Sequence, residues 1–263
     1  MFDRTLDLTA WFVVAFIAAP LVVIIGGSFT TSPFVDFPPV GLTLDWYRQL
    51  MGRADFLRSF VDSLKIAGIA TAVATVIGVA TALGLARLAF RGMALFRAFV
   101  MSPLILPTIV TGVALMQFLH TAGAISTLTG LVIGHTLITI PYVVRTVGAG
   151  LVGMNREIEE AAESLGAGAL RVLLRVTLPA IAPAIMASTI FVFITSFDQV
   201  TVSIFLSGPD VTPLPIRIYT YIDYAIDPMV AAVSTLLILF AFVVVAVLQR
   251  LLGLERAFGA STR

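Results

Sequence analysis

The chain has 263 residues, 59% of them hydrophobic and only 12% charged, with a formal net charge of +1. Such a composition is too apolar to cover the surface of an ordinary soluble domain, and its charge balance points to neither nucleic acid nor an acidic partner. No cysteine is present, which excludes disulfides and thiolate metal sites.

Six apolar runs reach the ~20 residues that a helix needs to cross a bilayer. They cover 8–29, 66–86, 98–119, 127–144, 180–206 and 229–248. In lipid only a helix satisfies every backbone group within one segment, so the runs predict an all-α membrane protein of six spans. No Gly-, Ser- or Pro-rich linker divides the chain, and one membrane domain over 1–263 is expected. The first run is longer than the ~7–15 residues of a signal-peptide core and lacks a small-x-small cleavage site, so it reads as an uncleaved span.

The second run carries Ala70, Ala74, Gly78 and Ala82, a ridge of small residues on which another helix can pack closely. Before it, 31–62 predicts a surface-lying helix with Trp46 and Tyr47 as interfacial aromatics. The third run contains "MSPLILPTIVTG", where Pro103 and Pro107 remove backbone donors. A kinked packing helix and a helix lining the solute pathway, with Pro107 a pathway candidate, both fit. The fifth run holds one acid, Asp198, with Thr195 and Ser196 beside it. A charge in hydrocarbon is expensive and tends to face a protein interior, so Asp198 and Thr195 are candidates for a gate or for attracting a cationic amine. A structural hydrogen bond to a neighbouring helix is the other reading. The segment 208–228, rich in Pro and Tyr, is expected to cap an external vestibule.

Orientation follows from arginine. With the N-terminus inside, Arg4, Arg87, Arg91, Arg97, Arg145, Arg156, Arg171, Arg175, Arg250, Arg256 and Arg263 are cytoplasmic, against Arg48, Arg53, Arg58 and Arg217 outside. The excess predicts an N-in, C-in arrangement. His120 and His135 lie in no H-E-x-x-H pattern, so no metal site is expected. No G-x-S-x-G elbow is present, and the single lysine, Lys65, follows Leu64, so no Gly-Lys-Ser/Thr phosphate loop exists. No catalytic residue is predicted, and any ATP hydrolysis belongs to another chain.

The longest cytoplasmic connection, about 151–179, contains "EEAAESLGAGALRVLLRVTLPA". Strong helix formers with acids at Glu157, Glu159, Glu160 and Glu163 lead to Gly166 and Gly168, which turn the chain. A second short helix over 169–176 sets Arg171 and Arg175 against Val172, Leu173 and Val176, and Pro179 is expected to end it. An amphipathic loop lying on lipid headgroups is the plain alternative.

The spacing speaks for more. Glu160-Ala161-Ala162, three residues, Gly166, nine residues, Val176, one residue and Leu178-Pro179 resemble the "EAA" loop of bacterial ABC-importer permeases. "TLDWYRQL", "SPLILPTIVTGVAL", "IPYVV" and "SFDQVTVSIFLSGPDVTPLPIRIY" are similar to that family too. The last is most like the second permease of spermidine/putrescine-type importers. Importers of ferric iron, thiamine and aminophosphonates share much of the pattern. Asp62-Ser63-Leu64 departs from the usual Asn-Ser-Leu.

The resemblance implies a type I permease fold in the bacterial inner membrane. Its loop would fit a groove on the ATPase, with Glu160, Ala161, Ala162 and Gly166 as coupling residues and Leu178 and Pro179 positioning the next span. It implies a second permease, two ATPase subunits, a periplasmic solute-binding protein, and ATP with Mg in the ATPase rather than a cofactor in this chain. The expected cargo is a polyamine or related amine. A secondary transporter without an ATPase would show broken helices in matched halves or several intramembrane charges, and neither is evident. The missing nucleophile patterns speak against an intramembrane enzyme.

Overall fold

A computed structural model describes residues 2–123, 127–225 and 227–252, and every regular element among them is helical. In chain order they are α1 (Phe2–Gly27), α2 (Asp45–Met51), α3 (Ala54–Arg87), α4 (Met93–Ile105), α5 (Thr108–Thr121), α6 (Thr127–Gly153) and α7 (Glu157–Ser164). There follow α8 (Ala169–Val172), a π-helical turn (Leu173–Thr177), α9 (Leu178–Ala180), α10 (Ala182–Phe197), α11 (Ser203–Leu206), α12 (Leu214–Ile222) and α13 (Pro228–Leu252). Among the described residues four helices are long and apolar enough to cross a membrane, Thr5–Gly27, Ala54–Arg87, Thr127–Gly153 and Pro228–Val247. Two further pairs qualify only as bent spans, so the candidate spans number four to six.

Three expected runs change shape. The second begins at Ala54 rather than 66, because its amphipathic opening buries Phe56, Ser59 and Ser63 although it carries charge. The third splits into α4 and α5, bent by 107°. Leu106 is extended, with ψ 138°, as the residue before a proline prefers, and Pro107 starts α5. Inside α4, Pro103 cannot donate to Phe99, and the Ser102 hydroxyl donates to that carbonyl instead, at 2.7 Å. The fifth run stops at Phe197, with Asp198 at the helix end and α11 as a separate turn.

The described residues fall into two compact units, one within Met1–Arg58 and Arg217–Val244, the other within Ser59–Ile216 and Val245–Arg263. In the first, Trp46 and Tyr47 on α2 secure the end of α1. The indole N–H donates to the Thr30 carbonyl at 2.8 Å, and the phenol is 2.6 Å from the Ser28 hydroxyl. The N-terminus of α13 is capped by Asp227, which accepts from the Met229 N–H at 3.0 Å, with Pro228 at the first helical position. Tyr221 donates to the same carboxylate at 2.7 Å and meets Phe56 edge-on. Burial, with that hydrogen bond behind it, pushes the Tyr221 hydroxyl up to about 12, so it stays a donor.

In the second unit the small-residue ridge does what its spacing predicts. Ala74 and Ala82 are buried against Val143, Val144 and Val147 of α6, and a Cβ at Gly78 would stand 2.5 Å from Val143. Further along α6, Leu131 and Ile138 form another core with Ile66, Leu119, Val202 and Leu206. Two places fasten α10 to α6. At one end a Cβ on Gly150 would lie 2.6 Å from Ala184. At the other, the buried His135 ring reaches the Ser196 hydroxyl through Nδ1 and the Ser203 hydroxyl through Nε2, both at 2.8 Å.

Candidate functional site

The loop singled out by its spacing is two short helices around a glycine turn. Asn155 shapes the start of α7, its Oδ1 accepting from the Glu157 N–H at 3.0 Å. The helix closes with Gly166 N–H donating to Glu163 and Ala167 N–H to Ala162, at 2.9 and 3.1 Å. This is a Schellman closure, and Gly166 holds its left-handed position with φ +86°. A side chain there would be strained. Gly168 then sits extended before α8.

Pro179 does not end the second helix as expected. The chain continues through the π-helical turn and α9, and the break comes at Ile181, where the helix axis bends by 65°. The Pro179 ring needs room where the Arg175 carbonyl would point, and the widened turn supplies it. Pro183 then cannot donate back to Pro179, and the bend falls just before it.

The matched residues divide by exposure. Glu160, Ala161 and Gly166 are exposed, Ala162 and Leu178 half-buried, and Pro179 exposed. Ile158, Leu165, Leu170 and Leu174 add exposed apolar surface to the same segment. Sequence reasoning missed the residue that anchors it, Glu159, which is buried. Its carboxylate pairs with Arg87 at the end of α3 and accepts from the Thr177 hydroxyl, while Arg87 also donates to Thr177 Oγ1 at 3.0 Å. One knot thus ties the end of a long helix, the first loop helix and the π turn. Arg87 and Glu159 are 72 positions apart. No local signal in the sequence sets Glu159 apart from the other acids of this two-turn helix.

The other candidates lie apart from the loop. Asp198 is exposed at the end of α10, with no side-chain partner among the described residues. Ser196 turns to His135 rather than to it, and Thr195 is half-buried. Pro107 is exposed at the start of α5. Asp62 is 4.0 Å from Lys65. Among the described residues no three His, Asp or Glu side chains gather as a metal site would. The arrangement offers an exposed acidic and apolar surface on a segment tied to the end of α3.

Comparison with known proteins bears on the family and the fold. The family model described as "Binding-protein-dependent transport system inner membrane component" matches residues 74–254. The chain is similar to the spermidine/putrescine transport system permease protein PotC of Escherichia coli K12, 32% identical over 89% of each chain. It is likewise similar to the putrescine transport system permease protein PotI of that organism, 32% identical over 85% of this chain and 82% of the relative. Among solved structures, a bacterial ABC transporter involved in import of the acidic polysaccharide alginate matches with a TM-score of 0.74 at 18% identity, covering 95% of each chain.

Proposed function

The chain belongs to the binding-protein-dependent transport system inner membrane component family, and from that premise we propose how it is arranged and what it carries. It is a multi-pass permease subunit of an ABC importer. In our reading the bent pairs α4–α5 and Ala169–Ala180 with α10 each count as one span, giving six, with both termini cytoplasmic. The whole of 1–263 acts as a single permease domain beside a second, different permease. Two ATPase subunits bind ATP and Mg beneath, and a periplasmic protein delivers solute from outside.

The observation that carries the proposal is the loop. Its EAA segment presents Glu160 and Ala161 outward while Glu159 is tied to Arg87 and Thr177. A surface exposed on one side and anchored on the other is what transmission of movement requires. Glu160, Ala161, Ala162 and Gly166 form the contact, and Leu178 and Pro179 lead the displacement into α10. Asp198, Thr195 and Pro107 belong to the pathway or gate. The cargo is a polyamine such as spermidine or putrescine, supported by the likeness to PotC and PotI.

The test is purification of the tagged chain from its own membranes, followed by transport in vesicles. An ATPase and a second permease should accompany it, and uptake of labelled spermidine or putrescine should need ATP and the binding protein. Uptake driven by an ion gradient without ATP would identify a secondary transporter instead. ATP-dependent uptake of another solute would leave the importer and remove the polyamine.

A further inference from the structure

A cavity of about 360 Å³ lies beside the loop, lined by Arg87, Arg97, Arg156 and Glu159. Three guanidiniums therefore face one carboxylate. That carboxylate is already committed to Arg87 and Thr177. Arg97 and Arg156 have no side-chain partner among the described residues. The other acids of the loop do not compensate, because Glu157 accepts from Asn155 and Glu160 and Glu163 are exposed outside the cavity.

The rest of the lining is apolar, with Leu85, Leu151 and Met154 among it. Arg97 also borders a second depression of about 550 Å³, otherwise lined by Met93, Ala94, Ala98 and Met101 of α4. A cationic chamber thus opens, across one arginine, beside an apolar one. The pairing fits an amphiphile, an anionic head with a hydrocarbon tail. Guanidinium forks match phosphate oxygens in two-point contacts. The chamber sits at the last residue of α3 and the end of α6, where, on the six-span reading, helix ends meet headgroups.

We propose that this cavity binds the phosphate of an anionic phospholipid headgroup through Arg97 and Arg156, with an acyl chain along the apolar face of α4. The bound lipid steadies Arg156, the residue that precedes α7, and so makes the set of the coupling loop sensitive to membrane composition. The proposal rests on the cytoplasmic placement of that loop.

The experiment uses the whole purified complex in nanodiscs of phosphatidylcholine alone or of an equal mixture with phosphatidylglycerol. Lipid retained by the complex is counted by native mass spectrometry, and ATPase stimulation by the loaded binding protein is measured alongside. Wild type should retain phosphatidylglycerol selectively and be stimulated more strongly in the mixture. Arg97→Gln with Arg156→Gln should lower that selectivity by about fivefold for each guanidinium removed. Should the double variant fail to assemble, Arg97→Gln alone reads the same quantity, because Arg97 is exposed and unpaired. Arg145→Gln, an exposed arginine of α6 outside the cavity, serves as the control and should keep the selectivity. Equal retention in wild type and the Arg97 and Arg156 variants overturns the proposal. Displacement of phosphatidylglycerol by inorganic phosphate would assign the cavity to a free anion and overturn the lipid. Labelling of Ser164→Cys from the outside overturns the orientation beneath the proposal, whereas cytoplasmic labelling with no lipid preference overturns the proposal alone.

Discussion

The second unit breaks its apolar helices twice, at Leu106 and Pro107 and again at Ile181, and the two joints are built differently. The first bends by 107° and its proline is exposed. The repair there is local, a Ser102 hydroxyl taking the carbonyl that Pro103 leaves free. The second bends by 65°, and Ile181 is buried in a core with Val143, Val147 and Val192. Just before it, Thr177 is held by Arg87 and Glu159 from two other helices. Proline decides where a helix gives way in both cases. The neighbours decide whether the joint merely changes direction or ties distant elements together.

Experiments on the second joint and on the loop that leads into it should therefore cost far more than experiments on the first. Gly166→Pro has the largest expected effect. Proline cannot adopt φ +86°, and the local cost is about 3 kcal/mol. Solute uptake should fall by well over tenfold while the chain still reaches the membrane, as measured by uptake assay beside membrane immunoblot. Wild-type uptake and ATPase retention would remove Gly166 from the coupling segment.

Arg87→Ala comes next. It leaves Glu159 buried without its cation, at roughly 2 kcal/mol once the partial exposure of Arg87 is allowed for. ATP turnover in the complex should lose its dependence on the loaded binding protein, and Arg87→Lys should restore part of it. An unchanged dependence would mean that the knot does not connect α3 to the loop in function. Asp198→Asn keeps the shape and removes the charge. The complex should assemble normally while uptake drops severalfold, and normal uptake kinetics would take Asp198 out of the pathway. The smallest effect belongs to Pro107→Ala, a loss of about 0.4–1 kcal/mol, because proline at a compatible position stabilises mainly through the unfolded chain. A thermal-unfolding midpoint nearly unchanged, with coupled ATPase activity, is expected. Uncoupling as severe as that of Arg87→Ala would erase the distinction between the joints.

Legibility in the sequence follows the same division. The Gly166 turn was readable because a left-handed residue after a strongly helical run is a local demand with few solutions. The small ridge of α3 was readable for the same reason, its period being fixed by the helix. The location of the second bend was not. Pro179 suggested a stop, but a widened turn absorbed it and the break moved on to Ile181. The early start of α3 at Ala54 escaped a criterion that counts uncharged residues, since its first turns are amphipathic. Glu159 escaped because nothing local separates a paired acid from its solvated neighbours, and its partner is 72 residues away.

The two fastenings of α10 on α6 have a mechanical consequence. A beam clamped at one point can pivot, and one resting in a groove can slide. A beam clamped near both ends does neither. Ala184 against Gly150 and Ser196 against His135 are such clamps, 12 residues or about 18 Å apart along α10. A push delivered at Ile181 is therefore expected to move α10 and α6 together, as one body rather than as two sliding rods.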